Sequence, residues 1–389
     1  MKTKFFMAIL AVAMIFSACN TENEIDNGEK SLTIRVSKVE SRAIQAPTNP
    51  GAVHGDNIAT AITTGTIFLI APNGSVTQRV ALNLSGGSND ANGTGQVINN
   101  VPSNTRVFIV GNVPAAANTQ LQAATTWTAI QTVVTAVTDI TGLMYTDAPL
   151  ANASGVPNSP LPAGTDLVAE VGISPVYARL ELFNVTGGDF VYNTTNATRI
   201  TNFNVVGIYV DEYLPNFNYI GGGTGVMNEI NQDRIADPAY SGSWTGLNDV
   251  TDGPWAGVGS TTVRPVAAPA SGNVWAYNLA AGARSRLVIA VRDITYSVTS
   301  NYGTDGSTAT WTAGSNSLND GVIRYLTIGS YNGAGNNPFT RAIVYRIAPG
   351  ALTFNTNQVH DDPNPITSNL TVTIDLLPWT VNLLTPELR

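Results

Sequence analysis

NLTVTIDLLPWTVNLLTPELR, residues 369–389, ends the chain in a long row of alternating apolar and polar side chains. Leu370, Val372, Ile374 and Leu376 alternate with Thr371, Thr373 and Asp375, the period of a strand with one buried face. After Leu376 the phase slips by one residue and resumes as Leu377, Trp379, Val381 and Leu383. A bulge or bend at Leu377-Pro378 would return the second row to the same core, because a proline, lacking an N–H, is tolerated at such a bend or at a sheet edge. So apolar a strand has to be covered, either within its own domain as a last strand or in another molecule as a donated one. Periodicity leaves both open, and the other end of the chain bears on the choice.

There a second alternating row, residues 31–39, sets Leu32, Ile34 and Val36 against Thr33, Arg35 and Ser37 and predicts a first strand. Arg42 and Ala43 follow closely, then QAPTNPGAVHGDN at 45–57, a Pro/Gly/Asn-rich loop that offers a protease extended backbone. Arg42 on its own also reads as a solvated surface arginine. Ahead of the row, Lys2 and Lys4 precede an apolar run at 5–16 that is too short to span a bilayer comfortably, the pattern of an export signal. Ser17 and Ala18 then precede Cys19, which resembles the lipobox of bacterial lipoproteins, with cleavage before Cys19 and a lipid on its sulfur. The plainer reading is an ordinary signal peptide with an incidental cysteine. As Cys19 is the one cysteine in the chain, no intramolecular disulfide is available and the fold rests on its cores. Residues 20–30 are polar and acidic, a flexible tether.

With 389 residues, 43% hydrophobic and 12% charged, and many Gly, Asn and Thr, the chain suits an all-β protein with a minor helical part, large enough for two domains. Net charge is -8; setting aside the six bases and five acids of residues 1–42 leaves 13 bases and 22 acids, every base an arginine. A body so acidic has no basic stripe for phosphates, which speaks against a nucleic-acid partner. Strands are expected at 66–71 and 75–84 around the turn Pro72-Asn73-Gly74, then at 105–111, 166–173, 173–185, 200–210, 274–279, 285–296, 322–331 and 341–347. Trp127, Ile130, Val134, Val137 and Ile140 recur at three- and four-residue steps and predict a helix over 125–140 lying across a sheet. Residues 211–274 read as a long loop, either functional or a decorated surface.

Catalytic and metal-binding patterns are weak. His54 and His360 both stand in polar loops with no spacing for a triad or zinc site, so no enzymatic activity and no metal or cofactor is expected. The glycine run 221–225 lacks the lysine of a phosphate loop, and Asn89 to Gly93 lacks the glutamate of a calcium loop. Trp244, Trp255, Tyr240 and Trp311 could line a sugar-binding face, which gives an alternative reading: a surface lipoprotein that binds glycan through aromatic loops and never polymerises.

The order of features is more specific than any one of them. Leu32-Thr33-Ile34-Arg35-Val36 with Arg42, Thr66-Ile67-Phe68-Leu69-Ile70, Arg106-Val107-Phe108-Ile109-Val110, Val176-Tyr177-Ala178-Arg179-Leu180, and Asn364-Pro365-Ile366-Thr367 running on to Leu377-Pro378-Trp379 together resemble the type V fimbrial subunits (FimA-like fimbrillins) of Bacteroidales along essentially the whole chain. The resemblance implies two tandem transthyretin-like β-sandwich domains: a signal peptide at 1–18, a propeptide with the first strand at 19–42, sandwiches at 43–173 and 174–368, and a donor strand at 369–389. It further implies an outer-membrane lipoprotein precursor, cut after Arg42 by an arginine-specific protease, whose first strand leaves a groove. Leu370, Val372, Ile374, Leu376, Leu377, Trp379, Val381 and Leu383 of the next subunit would fill that groove, building a head-to-tail polymer capped by anchor and tip subunits and displayed to host or bacterial surface receptors. Each well-buried apolar side chain is worth roughly 1.5–3 kcal/mol, so the longer tail would outcompete the excised strand. An interface that need not close generates an open filament.

Overall fold

The computed structural model describes residues 30–37, 52–53, 62–84, 91, 95–102, 105–139, 144–146, 151–152, 167–192, 196–226, 247–250, 273–299, 312–318, 322–332, 338–348, 350, 352–361, 370–373 and 375–378. In the first half the strands are β1 (Lys30–Ser37), β2 (Ala52–Val53), β3 (Gly65–Ile70), β4 (Val76–Ala81), β5 (Gln96–Val101) and β6 (Arg106–Gly111), then helices α1 (Ala115–Ala123) and α2 (Trp127–Gln131), then β7 (Val134–Ala136), β8 (Met144–Thr146), β9 (Ala151–Asn152) and β10 (Leu167–Pro175). In the second half they are β11 (Tyr177–Leu182), β12 (Thr186–Gly187), β13 (Asp189–Val191), β14 (Ala197–Asp211), β15 (Asn216–Asn218), β16 (Gly223–Thr224), β17 (Asn248–Val250), β18 (Asn273–Ala280), β19 (Arg286–Thr299), β20 (Thr312–Leu318), β21 (Arg324–Asn332), β22 (Ile343–Ile347), β23 (Thr353–Phe354), β24 (Leu370–Thr373) and β25 (Asp375–Pro378). The all-β class with a minor helical part holds.

One sheet runs β4-β3-β6-β8-β10-β1-β5, with β9 beside β6. It curls on itself: Ile67, Leu69, Val107 and Ile109 of β3 and β6 share a core with Leu32, Ile34, Ile98 and Val171 of β1, β5 and β10. The hairpin that starts it is set by its turn, where Gly74 takes φ +84 and the Asn73 carboxamide oxygen accepts the Ser75 N–H at 3.0 Å. The alternate residues Phe68, Ile70, Phe108 and Val110 point to the outer face and pack under Ala117, Leu121 and Ile130 of the helices. Burial on both faces explains why GTIFLI and RVFIVG read as continuous apolar runs.

The predicted helix over 125–140 is corrected. The α-helix covers Trp127–Gln131 alone, with a separate 3-10 turn at Val137–Asp139; Thr126 caps the α-helix by accepting the Ala129 N–H at 3.1 Å, and the Thr132 hydroxyl donates to the Ala129 carbonyl at 2.8 Å at its end. The β-branched Val134 and Thr135 then continue as β7, which finds a strand partner in β15. Trp127, Ile130 and Val137 still face the core, so the spacing identified buried positions but not the element that delivers them. The main covering helix, α1, buries only Ala117 and Leu121 and carried no legible stripe.

Two further sheets, β2-β18-β11-β22-β25 and β13-β14-β19-β21-β24, enclose a second core that includes Leu180, Ile208, Tyr277, Ile289, Leu326 and Ile347. Residues 176–182 are buried on both faces, and on one of them Glu181 bridges Arg179 at 2.7 Å and Arg346 at 2.9 Å. A buried carboxylate is tolerable there because it is shared between guanidinium groups. The expected loop 211–274 is also corrected in part: β15, β16 and β17 lie within it, and Phe217 and Tyr219 are fully buried.

Among the described residues two strand pairings join the halves. β7 pairs with β15, with a 2.5 Å hydrogen bond between Thr135 Oγ1 and the Tyr219 hydroxyl, and β2 pairs with β18. Burial pushes the Tyr219 phenol up to about 12, the hydrogen bond from Thr135 offsetting part of the rise. The folded state therefore favours the protonated phenol, a contribution that is whole below an ordinary value near 10 and is lost as pH rises to about 12. Urea midpoints are expected to fall across that interval, and Tyr219→Phe to lessen the fall. Phe108→Ala, which empties the contact between sheet and helices, is expected to cost about 3–5 kcal/mol in urea unfolding with an unchanged slope.

Candidate functional site

β1 occupies the gap between β10 and β5. It runs parallel to β10, with Leu32 opposite Leu167 and each residue in step to Ser37 opposite Gly172, and antiparallel to β5, with Leu32, Thr33 and Ile34 opposite Ile98, Val97 and Gln96. Leu32 and Ile34 are fully buried and Val36 nearly so, which is the alternation that the sequence predicted. At roughly 1.5–3 kcal/mol per side chain, these three residues contribute about 5–9 kcal/mol. That is comparable with the whole stability of a typical domain, about 5–15 kcal/mol, so the gap cannot stand empty at no cost.

The walls of the gap are partly held without β1. Ile173, Ser174 and Pro175 of β10 pair with β8. At β5, the buried Gln96 donates from Nε2 to the Ala81 carbonyl and accepts the Asn83 N–H, both at 2.8 Å. On the face away from the core, Gly95 at φ +107 closes over β1: a Cβ there would stand 2.3 Å from Thr33 Cγ2 and 3.2 Å from Arg35 Cγ. Arg35 and Glu170 face each other across the parallel ladder at 4.0 Å.

The tail pairs within its own chain, at the outer edges of both sheets of the second sandwich. Leu370, Thr371, Val372 and Thr373 of β24 run parallel to β21, opposite Ile328, Ser330, Tyr331 and Asn332. Asp375, Leu376, Leu377 and Pro378 of β25 run antiparallel to β22, opposite Arg346, Tyr345, Val344 and Ile343. The expected break at Leu377-Pro378 is therefore corrected: pairing changes sheets between Thr373 and Asp375, and both Leu377 and Pro378 belong to β25. A proline at the outermost strand costs no ladder bond when its nitrogen faces away from the partner, so Pro378 did not have to mark a bend.

Leu32, Ile34 and Val36 thus line one core, while Leu370, Val372, Leu376 and Leu377 hold register positions at the far sheets. Cys19, Arg42, Ala43, Ile374, Trp379, Val381 and Leu383 lie outside the described residues, as do His54, Trp244, Trp255, Tyr240 and Trp311. Sequence reasoning missed β5, whose Asn99 and Asn100 are exposed and whose ladder is irregular beside Lys30; a positive φ at Asn100 breaks its period. It also missed Gly95 and Glu170. His360 exchanges backbone hydrogen bonds of 2.8 and 3.0 Å with Tyr325, and Asp361 reaches Arg324 at 3.4 Å. The glycine run serves close packing, since a Cβ on Gly223 would meet the Ala281 carbonyl at 2.4 Å. Among the described residues no group of three or more His, Cys, Asp or Glu is placed to hold a metal ion.

The importance of β1 can be measured directly: in the uncleaved chain Ile34→Ala is expected to lower stability by about 2–5 kcal/mol, read from urea denaturation followed by tryptophan fluorescence.

No protein-family model and no curated protein sequence matches this chain. Solved structures do. A candidate cell adhesion protein from Parabacteroides distasonis aligns over 90% of this chain and 99% of its own, with 12% identity and a TM-score of 0.50. Another, from Bacteroides eggerthii, covers 92% and 98% at 15% identity and a TM-score of 0.47. The FimA fimbrilin of Porphyromonas gingivalis covers 90% and 97% at 14% identity and a TM-score of 0.44. In fold, then, this chain is similar to the P. distasonis protein along nearly its whole length, and its structural neighbours include a Porphyromonas fimbrilin.

Proposed function

We propose that this protein is a structural subunit of a cell-surface fimbrium that polymerises by strand exchange. The observation that carries the reading is the position of β1, a strand from early in the chain that is paired along both sides, between β10 and β5, and is followed by the sequence Ser41-Arg42-Ala43. Cutting after Arg42 would free β1 from the rest of its sheet, since no other covalent link holds it there. The vacated gap would then take a strand of matching alternation, which the tail supplies in Leu370, Val372, Ile374 and Leu376. Before assembly the tail rests as an edge strand on its own second sandwich, where among the described residues each half is paired along one side only. Leaving an edge is cheaper than leaving a position paired along both sides, as β1 is, so tail release is the easier step once β1 has been cut away.

On this reading residues 43–173 and 174–368 are the two domains of the mature subunit, exported with a lipid on Cys19 and held at the outer membrane before cleavage. Its partners are further copies of itself, an arginine-specific protease, anchor and tip subunits, and surface receptors. The role is structural, with no catalytic step assigned to the chain. Cells carrying the wild-type protein are expected to give, on an unboiled denaturing gel, a ladder of subunit multiples that collapses on heating. Arg42→Ala and deletion of residues 370–389 are each expected to abolish it; a ladder that persists in both variants sinks the strand-exchange reading.

A further inference from the structure

Strand exchange by itself leaves open how the tail is seated in the gap, and any register assigned to the tail rests on that reading of the function. β1 carries Leu32-Thr33-Ile34-Arg35-Val36 and the tail carries Leu370-Thr371-Val372-Thr373-Ile374, apolar residues at the first, third and fifth places and threonine at the second in both. Two features of the gap act on the polar places. Gly95 lies so close above Thr33 that the second place, fully buried, has room for a side chain of threonine's size and no water for a charge. Glu170 stands opposite the fourth place, now filled by Arg35, and disfavours another acid there.

We propose that the tail enters in the direction of β1, with Leu370 in the place of Leu32, Thr371 of Thr33, Val372 of Ile34, Thr373 of Arg35 and Ile374 of Val36, and that Gly95 and Glu170 of the receiving subunit set this register. Slid forward by two residues, the tail still offers Thr373 to Gly95 but puts Asp375 opposite Glu170. Slid by four, it drives Asp375 into the buried slot under Gly95 and Leu377 beside Glu170. A reversed tail with Ile374 in the place of Leu32 also sets Thr373 under Gly95, but its strand runs antiparallel to β10 and parallel to β5, the opposite of both ladders that β1 makes. The aligned register alone repeats the ladders, keeps threonine under Gly95 and leaves no acid against Glu170.

Thr33 lies opposite Val97 in the antiparallel ladder, which gives a direct test. Full-length protein carrying Val97→Cys with Thr371→Cys is matured with an arginine-specific protease, which removes Cys19 with the leading segment, and then oxidised gently. A ladder that survives boiling without reductant is expected, and the same treatment of Val97→Cys with Thr373→Cys is expected to leave the ladder heat-labile. A bridge through Thr373→Cys and none through Thr371→Cys overturns the register while leaving strand exchange standing. The absence of a ladder in the wild-type protein defeats the underlying reading instead. In a second measurement, Thr373→Glu is expected to slow ladder growth by about 2- to 5-fold, with Glu170→Arg restoring it. If neither cysteine pair bridges and Thr373→Glu changes nothing in a protein that still forms ladders, the register is wrong.

Discussion

The burial of Leu32, Ile34 and Val36 between β10 and β5 is the contact on which the first sheet depends. Among the described residues β5 is the last strand of that sheet and has β1 as its only strand neighbour there, so β1 carries the backbone ladder that ties β5 into the sheet, beside the side-chain bonds of Gln96. Its three side chains share a core with Ile67, Leu69, Val107 and Ile109 from the opposite part of the curled sheet, so one strand closes both the ladder and the interior. The pairing of β1 with β10 spans a sequence separation of more than a hundred residues, yet loop-closure entropy grows only with the logarithm of length. Such a strand can be the first part of the chain and still a late addition to the sheet, because its contacts are non-local.

The rest of the molecule stiffens around that contact without depending on it in the same way. α1 and α2 cover the outer face of β3 and β6, where Trp127 packs edge-on against Phe108 at 5.1 Å between ring centroids. The same cluster of buried residues continues through Val137, Phe217 and Tyr219 into the core of the second sandwich. β2 adds a short ladder to β18, so Ala52 and Val53, ten residues beyond Arg42, lie on the sheet whose other edge carries β25. One sheet thus holds the arm that follows the proposed cut at one margin and the tail at the other.

Much of this was legible along the chain. Alternation in residues 31–39 identified the buried face of β1, the run at 66–71 was legible as a strand, and the continuous apolar run at 105–111 as a strand buried on both sides, because period and composition report burial directly. The turn at Pro72-Asn73-Gly74 was visible because glycine at positive φ leaves a chemical signature. The helix over 125–140 was misread because a three- and four-residue spacing of apolar groups fits a short helix followed by a strand as well as one long helix. β5 was passed over because its strand character comes from its neighbour: Val97 and Ile98 stand beside two exposed asparagines, and only the ladder with β1 makes them a strand.

The sequence by itself determined the all-β class, the apolar faces of the first strand and the tail, the single cysteine, and the acidic, lysine-free body after residue 42. These come from local composition and period, which need no knowledge of partners. Only the tertiary structure decided which strands enclose β1, that Gly95 and Glu170 stand at its polar places, and that the tail passes from one sheet to the other between Thr373 and Asp375 rather than at Leu377-Pro378. Each of those depends on pairing between segments far apart in the chain. A strand carries in its own residues the face it will bury, but its neighbours are chosen by the fold.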